Sequence, residues 1–204
     1  LRMDMSEECK KFAKNESGIY SLSIPTGGGK TLASLRYALN HALEHGKERI
    51  IYVIPYTSII DQNAKLVKAI LDDDTNIVEH HSNVDFGSSN EKELDDELDE
   101  MLMNKREKIR LATDNWDAPI IFTTMVQYLN AFYAKGNRNT RRLHNLTNAV
   151  VSFDEVQKVP SKCLSLFSES VNFLDMMGNS SILLCTATQP GLESIKRKIC
   201  LKDE

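Results

Sequence analysis

The sequence predicts an α/β domain: a mostly parallel sheet with helices on both faces. Three observations predict it. Apolar runs of strand length alternate along the chain with stretches of helical periodicity, the pattern of strand–helix–strand units. The first strand-like run, Ile19 to Ile24, gives way to a glycine-rich turn, Gly27-Gly28-Gly29, and then to a helical pattern from Leu32. The run Ala149 to Phe153 is almost unbroken in apolar residues before it reaches Asp154-Glu155. That is the signature of a strand buried on both faces.

The elements follow in order. Residues 18–24 read as the first strand. Residues 30–44 read as a helix with Leu32, Leu35, Leu39 and Leu43 on one face, ended by Gly46, the usual C-terminal stop. Ile50-Ile51-Tyr52-Val53-Ile54 is a buried strand. Residues 58–71 form a second helix, stopped by Asp72-Asp73-Asp74, and 77–79 a short strand. The segment 90–111 is strongly charged, yet Leu94, Leu98, Met101 and Leu102 fall at helical spacing. It reads as an inserted surface helix. Asp114 to Pro119 is a turn, 120–123 a strand, and a helix runs on to about Ala134. Lys135, Arg138, Arg141, Arg142 and His144 make a basic loop, open to a phosphate backbone or simply to solvent. Residues 149–154 form a strand. A helix over 160–177 has Pro160 near its start and Gly178 at its end, and 181–185 is the last clear strand. There is no internal repeat, so residues 1–204 read as one domain.

Composition excludes several classes. The 204 residues suffice for one domain with a real core. Lys and Arg number 25 against 29 Asp and Glu, a net charge of −4. Any nucleic-acid contact must then be local rather than a global basic field. Cys9, Cys163, Cys185 and Cys200 form no C-x-x-C pair, which points to reduced thiols in a cytoplasmic protein rather than a zinc knuckle or disulfide framework. No apolar run is long enough to span a bilayer, and no secretory leader is visible. Leu1 is not a natural initiator, so the chain reads as an excised fragment.

The chemistry-bearing residues sit at predicted strand ends. Pro25-Thr26-Gly27-Gly28-Gly29-Lys30-Thr31, between a strand and a helix, is a phosphate cradle. Its glycines let backbone N–H groups turn inward, and the helix adds its positive N-terminal dipole. Lys30 is placed to reach β- and γ-phosphates and the Thr31 hydroxyl to ligate Mg²⁺, which names a nucleoside triphosphate as ligand. Ile24 stands where Gly or Ala is usual. Asp154 is placed to hold Mg²⁺ and Glu155 to deprotonate the attacking water. Their roles are expected to differ because side chains alternate direction at a strand end. Thr186 and Thr188, after the last strand, fall on the same rim. His80-His81 with Asp85 suggests a metal cluster, but its polar surroundings read as a surface loop.

Taken together, these motifs resemble those of superfamily-2 helicases. Pro25 to Thr31 looks like motif I, Pro55-Tyr56-Thr57-Ser58 like motif Ia, Asp154-Glu155-Val156-Gln157 like motif II and Thr186-Ala187-Thr188 like motif III. Ile51 to Ile60 and Asn115-Trp116-Asp117-Ala118-Pro119 bring the resemblance closer, to the CRISPR-associated helicase–nucleases of type I systems. It covers nearly the whole chain. It implies a RecA-like P-loop NTPase lobe using ATP and Mg²⁺ in an ATP-dependent DNA helicase. Lys30, Asp154 and Glu155 would be catalytic, with Thr31 and Asp154 on the metal. Pro25 to Thr31 and Gln157 would line the nucleotide, and Thr186 and Thr188 would couple it to DNA. Thr57, Ser58, Thr123 and Thr124 would touch single-stranded DNA. The implied partners are a crRNA-guided surveillance complex, an HD nuclease domain and a second RecA-like lobe. Neither of those two domains is matched here, so little activity is expected of the fragment alone. Gln157 stands where many relatives have His. A restriction or repair motor and, from another class, a small-molecule P-loop kinase or a scaffold without turnover are the alternatives.

Overall fold

The computed structural model describes residues 2–25, 27–81 and 111–186. Thr26, Thr188, Asp85 and nearly all of the charged 90–111 segment lie outside the described residues.

Among the described residues six strands form one sheet: β1 (Ile19–Ser23), β2 (Arg49–Ile54), β3 (Ile77–His80), β4 (Ile120–Thr124), β5 (Ala149–Phe153) and β6 (Ser181–Thr186). Their spatial order is β1-β6-β5-β2-β4-β3, and every pairing is parallel. Parallel neighbours need crossovers, and helices supply them. Ahead of β1 lies α1 (Arg2–Phe12); the crossover helices among the described residues are α2 (Lys30–His45), α3 (Thr57–Leu71), α4 (Met125–Tyr133), α5 (Asn137–Leu146) and α6 (Leu164–Met176). The expected fold class is the observed one.

Strand alternation divides the core in two. In β2, Ile51 and Val53 pack with Tyr128, Phe167 and Val171 of α4 and α6. Ile50, Tyr52 and Ile54 turn to the other face, against Tyr37, Ala38, Ile60 and Ala64 of α2 and α3. Both faces of β2, β5 and β6 are therefore buried.

The structure corrects some sequence expectations. The buried stripe of α2 is Ala33, Ser34, Leu35, Tyr37, Ala38 and His41, so Leu35 is buried as expected, whereas Leu32 and Leu43 are exposed. Small side chains at 33, 34 and 38 let the helix lie close on the sheet, and Leu32 and Leu43 fall off that stripe. The basic segment after α4 is a helix, α5, not a loop. Its asparagines and Gly136 imitate loop composition. Helix α1, which has no sequence expectation, packs on α2. Turn signals fared better: Gly46 and Asp72 both adopt left-handed backbone at the ends of α2 and α3.

His41 fixes α2 to two neighbours. Its Nδ1 lies 2.8 Å from the Ala13 carbonyl and its Nε2 2.6 Å from the Ser181 hydroxyl. Burial, helped by His45 and Lys47, pushes its pKa down to about 4. Burial, helped by Arg142, does the same to His80. Unfolding frees both to titrate near their ordinary value of 6.5. Their contribution is thus complete above pH 6.5 and is lost as pH falls toward 4. Denaturant titrations of the chain should show stability lost between pH 7 and pH 5, about 2 kcal/mol for each of the two histidines. A flat stability profile across that window refutes the buried neutral assignment.

Candidate functional site

The site forms at the carboxyl ends of β1, β6 and β5, where open parallel sheets collect ligands. Strand β6 lies between the other two. Its tip residue, Thr186, is buried, and the Thr186 carbonyl accepts the Ile24 N–H at 3.1 Å. That bond ties the start of the glycine-rich turn to the sheet.

The turn is built by residues that need unusual backbone. Gly27 and Gly29 adopt φ of 77° and 90°, which side chains disfavour. Gly28 donates its N–H to the Pro25 carbonyl at 2.9 Å. A Cβ on Gly28 would lie 2.6 Å from Ile24 Cγ2 and 2.8 Å from that carbonyl oxygen. The Ile24 side chain, nearly wholly buried, thus occupies the space a side chain at 28 would need. The bulk at 24 and its absence at 28 are one packing solution. Helix α2 then begins at Lys30 with no acidic residue in its first turn, leaving its positive end directed to the rim.

Opposite, β5 ends in the paired carboxylates. Asp154 donates its N–H to the Val53 carbonyl at 2.9 Å, anchoring it beside β2. Lys30 Nζ lies 2.8 Å from Asp154 Oδ1 and also donates to Glu155 Oε1. This corrects the expectation that strand alternation separates the two acids. Glu155 adopts φ of 50°, a left-handed conformation, and that turn folds its carboxylate back to the same ammonium. Gln157 Nε2 donates to the other oxygen, Oε2. Burial favours a neutral Glu155, but the bonds from Lys30 and Gln157 prevail and hold its pKa below the ordinary value. Burial likewise opposes charge on Lys30, and the two carboxylates outweigh it and raise its pKa. The Thr31 carbonyl accepts the Ser34 hydroxyl at 3.0 Å, and Thr31 stands half-buried beside Lys30.

A second group of expected residues lies along the ends of β2 and β4. Thr57 and the exposed Ser58 open α3. Thr124 caps α4, its hydroxyl accepting the Gln127 N–H at 3.2 Å. Neither helix carries an acidic residue in its first turn, which suits a phosphate-lined ligand. Thr123 is fully buried, and its hydroxyl donates to the His80 carbonyl at 3.1 Å. Of the Thr123–Thr124 pair, only Thr124 reaches the rim.

The histidines are not in a polar surface loop. His81 is mostly buried and pairs with Asp61 at 3.1 Å. Asp61, Glu79 and His81 bring one ligand atom each within 4.8 Å of one another. However, Glu79 is already held by Lys68 at 2.7 Å, so one of the three candidate ligands is engaged by a cation of the chain itself. Sequence reasoning placed Arg142 in a basic loop facing phosphate or solvent and missed Gln127; the tertiary structure buries Arg142 and joins the two at 3.0 Å. Among the described residues, no helix is long and apolar enough to cross a membrane.

The profile of the DEAD/DEAH box helicase family matches residues 9–196. The chain is 27% identical over 185 residues to the CRISPR-associated nuclease/helicase Cas3 of Haloferax volcanii, covering 85% of this chain and 19% of that protein. The crystal structure of T. fusca Cas3 superposes with a TM-score of 0.67 at 19% identity, over 90% of this chain and 21% of that one. The Sulfolobus solfataricus SWI2/SNF2 ATPase core in complex with dsDNA superposes with a TM-score of 0.57 at 16% identity, over 92% of this chain and 31% of that one. The chain thus spans about a fifth of the length of its Cas3 relatives.

Proposed function

The chain belongs to the DEAD/DEAH box helicase family, and on that premise we propose that it is the ATP-binding lobe of a single-stranded-DNA translocase of type I CRISPR interference. The likeness to the Haloferax Cas3 protein supports the CRISPR assignment. The observation that carries the nucleotide reading is Lys30 seated between Asp154 and Glu155 at the mouth of a glycine turn. In the whole protein this lobe would work with a second RecA-like lobe, an HD nuclease domain and a crRNA-guided surveillance complex, in the cytoplasm.

The residues fit ATP and Mg²⁺. The positive-φ glycines and the start of α2 offer backbone N–H groups to the phosphates. Thr31 and Asp154 supply the hard oxygens a Mg²⁺ ion takes. Bound there, Mg²⁺ neutralises phosphate charge.

Lys30 has two competing sets of partners. Its ammonium neutralises Asp154 and Glu155, and the β- and γ-phosphates would compete for it. As phosphate draws Lys30 away, Glu155 loses the partner that keeps its pKa low. Its affinity for a proton then rises, and it becomes a better base toward the attacking water. Gln157 stays on Oε2 and keeps the carboxylate oriented. The triphosphate thus prepares its own general base. Thr186 at the tip of β6, and Thr188 two residues on in the sequence, would pass the state of this site to the nucleic-acid rim.

Single-stranded DNA should raise the ATPase rate of the intact protein at least tenfold, because the rim and the phosphate site share one sheet edge. Activation by a small metabolite instead, with no response to DNA, replaces this reading with a small-molecule kinase.

A further inference from the structure

Arg142 lies in the basic segment but does not face solvent. The residue is only 7% exposed, and its guanidinium bonds in three directions. Nε donates to the Asp114 carbonyl at 2.8 Å. Nη1 donates to Gln127 Oε1 at 3.0 Å. Nη2 donates to His80 Nε2 at 3.0 Å. The guanidinium also lies 5.6 Å from the centroid of the Trp116 ring, and His80 meets the same ring nearly edge-on at 5.9 Å.

These partners come from three segments: the end of β3, the helical residues 111–115 with Trp116 just after them, where the sequence suggested a turn from Asp114, and the first turn of α4. Two of them are bonded directly to the tip of β4. The His80 carbonyl accepts the Thr123 hydroxyl, and the Gln127 N–H donates to the Thr124 hydroxyl. Asn145, one helical turn after Arg142's row begins, adds a fourth tie by donating to the Asn115 carbonyl at 2.8 Å. Beyond the strand ladders of β4, one guanidinium therefore links the two residues whose hydrogen bonds hold the Thr123 and Thr124 hydroxyls.

We propose that Arg142 is a positioning residue for the nucleic-acid rim, setting where Thr124 and the first turn of α4 stand against a phosphate backbone without touching it. The inference rests on the motor reading above. Arginine is required by shape rather than by charge. Its planar fork reaches three acceptors in fixed directions, and its flat face covers Trp116, whereas a lysine ammonium offers one compact point. His80 accepts at Nε2 from a permanent cation, so its proton sits on Nδ1. The clamp is therefore insensitive to pH across the neutral range.

A merely structural Arg142 would anchor α5 and nothing else. Its loss would then lower stability and weaken every ligand alike. A positioning Arg142 predicts a split. In the intact protein, Arg142→Lys should raise the single-stranded-DNA concentration for half-maximal ATPase activation about tenfold. The KM for ATP, measured at saturating DNA, should stay within about twofold of wild type. Gln127→Ala, which removes one arm and leaves the charge in place, should shift the DNA constant in the same direction by about threefold. It serves also if Arg142→Lys fails to fold. An unchanged DNA constant in a folded Gln127→Ala or Arg142→Lys protein overturns the inference, as do DNA and ATP constants that rise together. A wild-type protein that single-stranded DNA neither binds nor activates overturns the motor reading, and this inference with it.

Discussion

Glu155→Gln in the intact protein is expected to keep ATP binding and to lower hydrolysis roughly 10²–10⁴-fold, the range for loss of a general base. Glutamine preserves the shape and keeps one acceptor oxygen, which can take the bond from Lys30, while its amide nitrogen replaces the oxygen that accepted from Gln157. What it loses is the ability to take a proton. The pH–rate profile supplies a second reading. Once phosphate has withdrawn Lys30, the acidic limb of the wild-type profile should report the released Glu155 carboxylate. That limb should vanish in the variant. Full hydrolysis by Glu155→Gln, with an unchanged acidic limb, would remove Glu155 from the role of base and leave its contact with Lys30 purely structural.

Lys30→Ala is expected to act on two states at once. With nucleotide, it removes the only ammonium at the mouth of the glycine turn among the described residues. Turnover should drop by about 10²–10³-fold, the cost of deleting one preorganised donor to a developing anion, and nucleotide affinity should fall too. Without nucleotide, it leaves Asp154 and Glu155 facing each other half-buried, with side-chain exposures of 16% and 26%. At pH 7 the chain should lose about 1–3 kcal/mol of stability, less than a fully buried pair would because water screens this one. The sign with pH is specific. In the wild type, Glu155's depressed pKa adds stability above its ordinary value of 4.5, lost as pH falls below it. In Lys30→Ala the paired carboxylates repel, so protonation relieves the variant. Its stability deficit should shrink as pH falls from 7 toward 4. Denaturant melts of both proteins across that range decide the matter. A deficit that is constant with pH would mean that the acids do not interact through Lys30.

Much of this site was legible because its parts are local. A glycine turn between strand and helix can be recognised from seven consecutive residues, since φ above zero demands glycine wherever the turn needs it. Gly27 and Gly29 are where the structure uses that freedom. The apolar run of β5 ending in Asp154 is local as well. So are the helix stops at Gly46 and Asp72. What failed were inferences about direction. Of the α2 leucines read as the buried face, Leu35 is buried, but Leu32 and Leu43 are exposed, and Ala33, Ser34 and Ala38 lie on the sheet instead. Alternation along β5 predicted opposed carboxylates, but a left-handed Glu155 turned them together. Nothing in the sequence marks residue 155 for positive φ, because the compensation comes from Lys30, some 125 residues away.

The sequence by itself determined the sheet of parallel buried strands, the glycine turn and the identities of the residues at the strand tips. Those follow from hydrophobic period and backbone sterics, which act over a few residues. Only the tertiary structure decided which tips are neighbours. The order β1-β6-β5 sets Lys30 against Asp154 and Glu155 with Thr186 between, and the inward turn of Arg142 gathers His80, Trp116 and Gln127. Both depend on which apolar faces and buried polar groups satisfy one another across the whole chain. That is a global condition, and no window of sequence contains it.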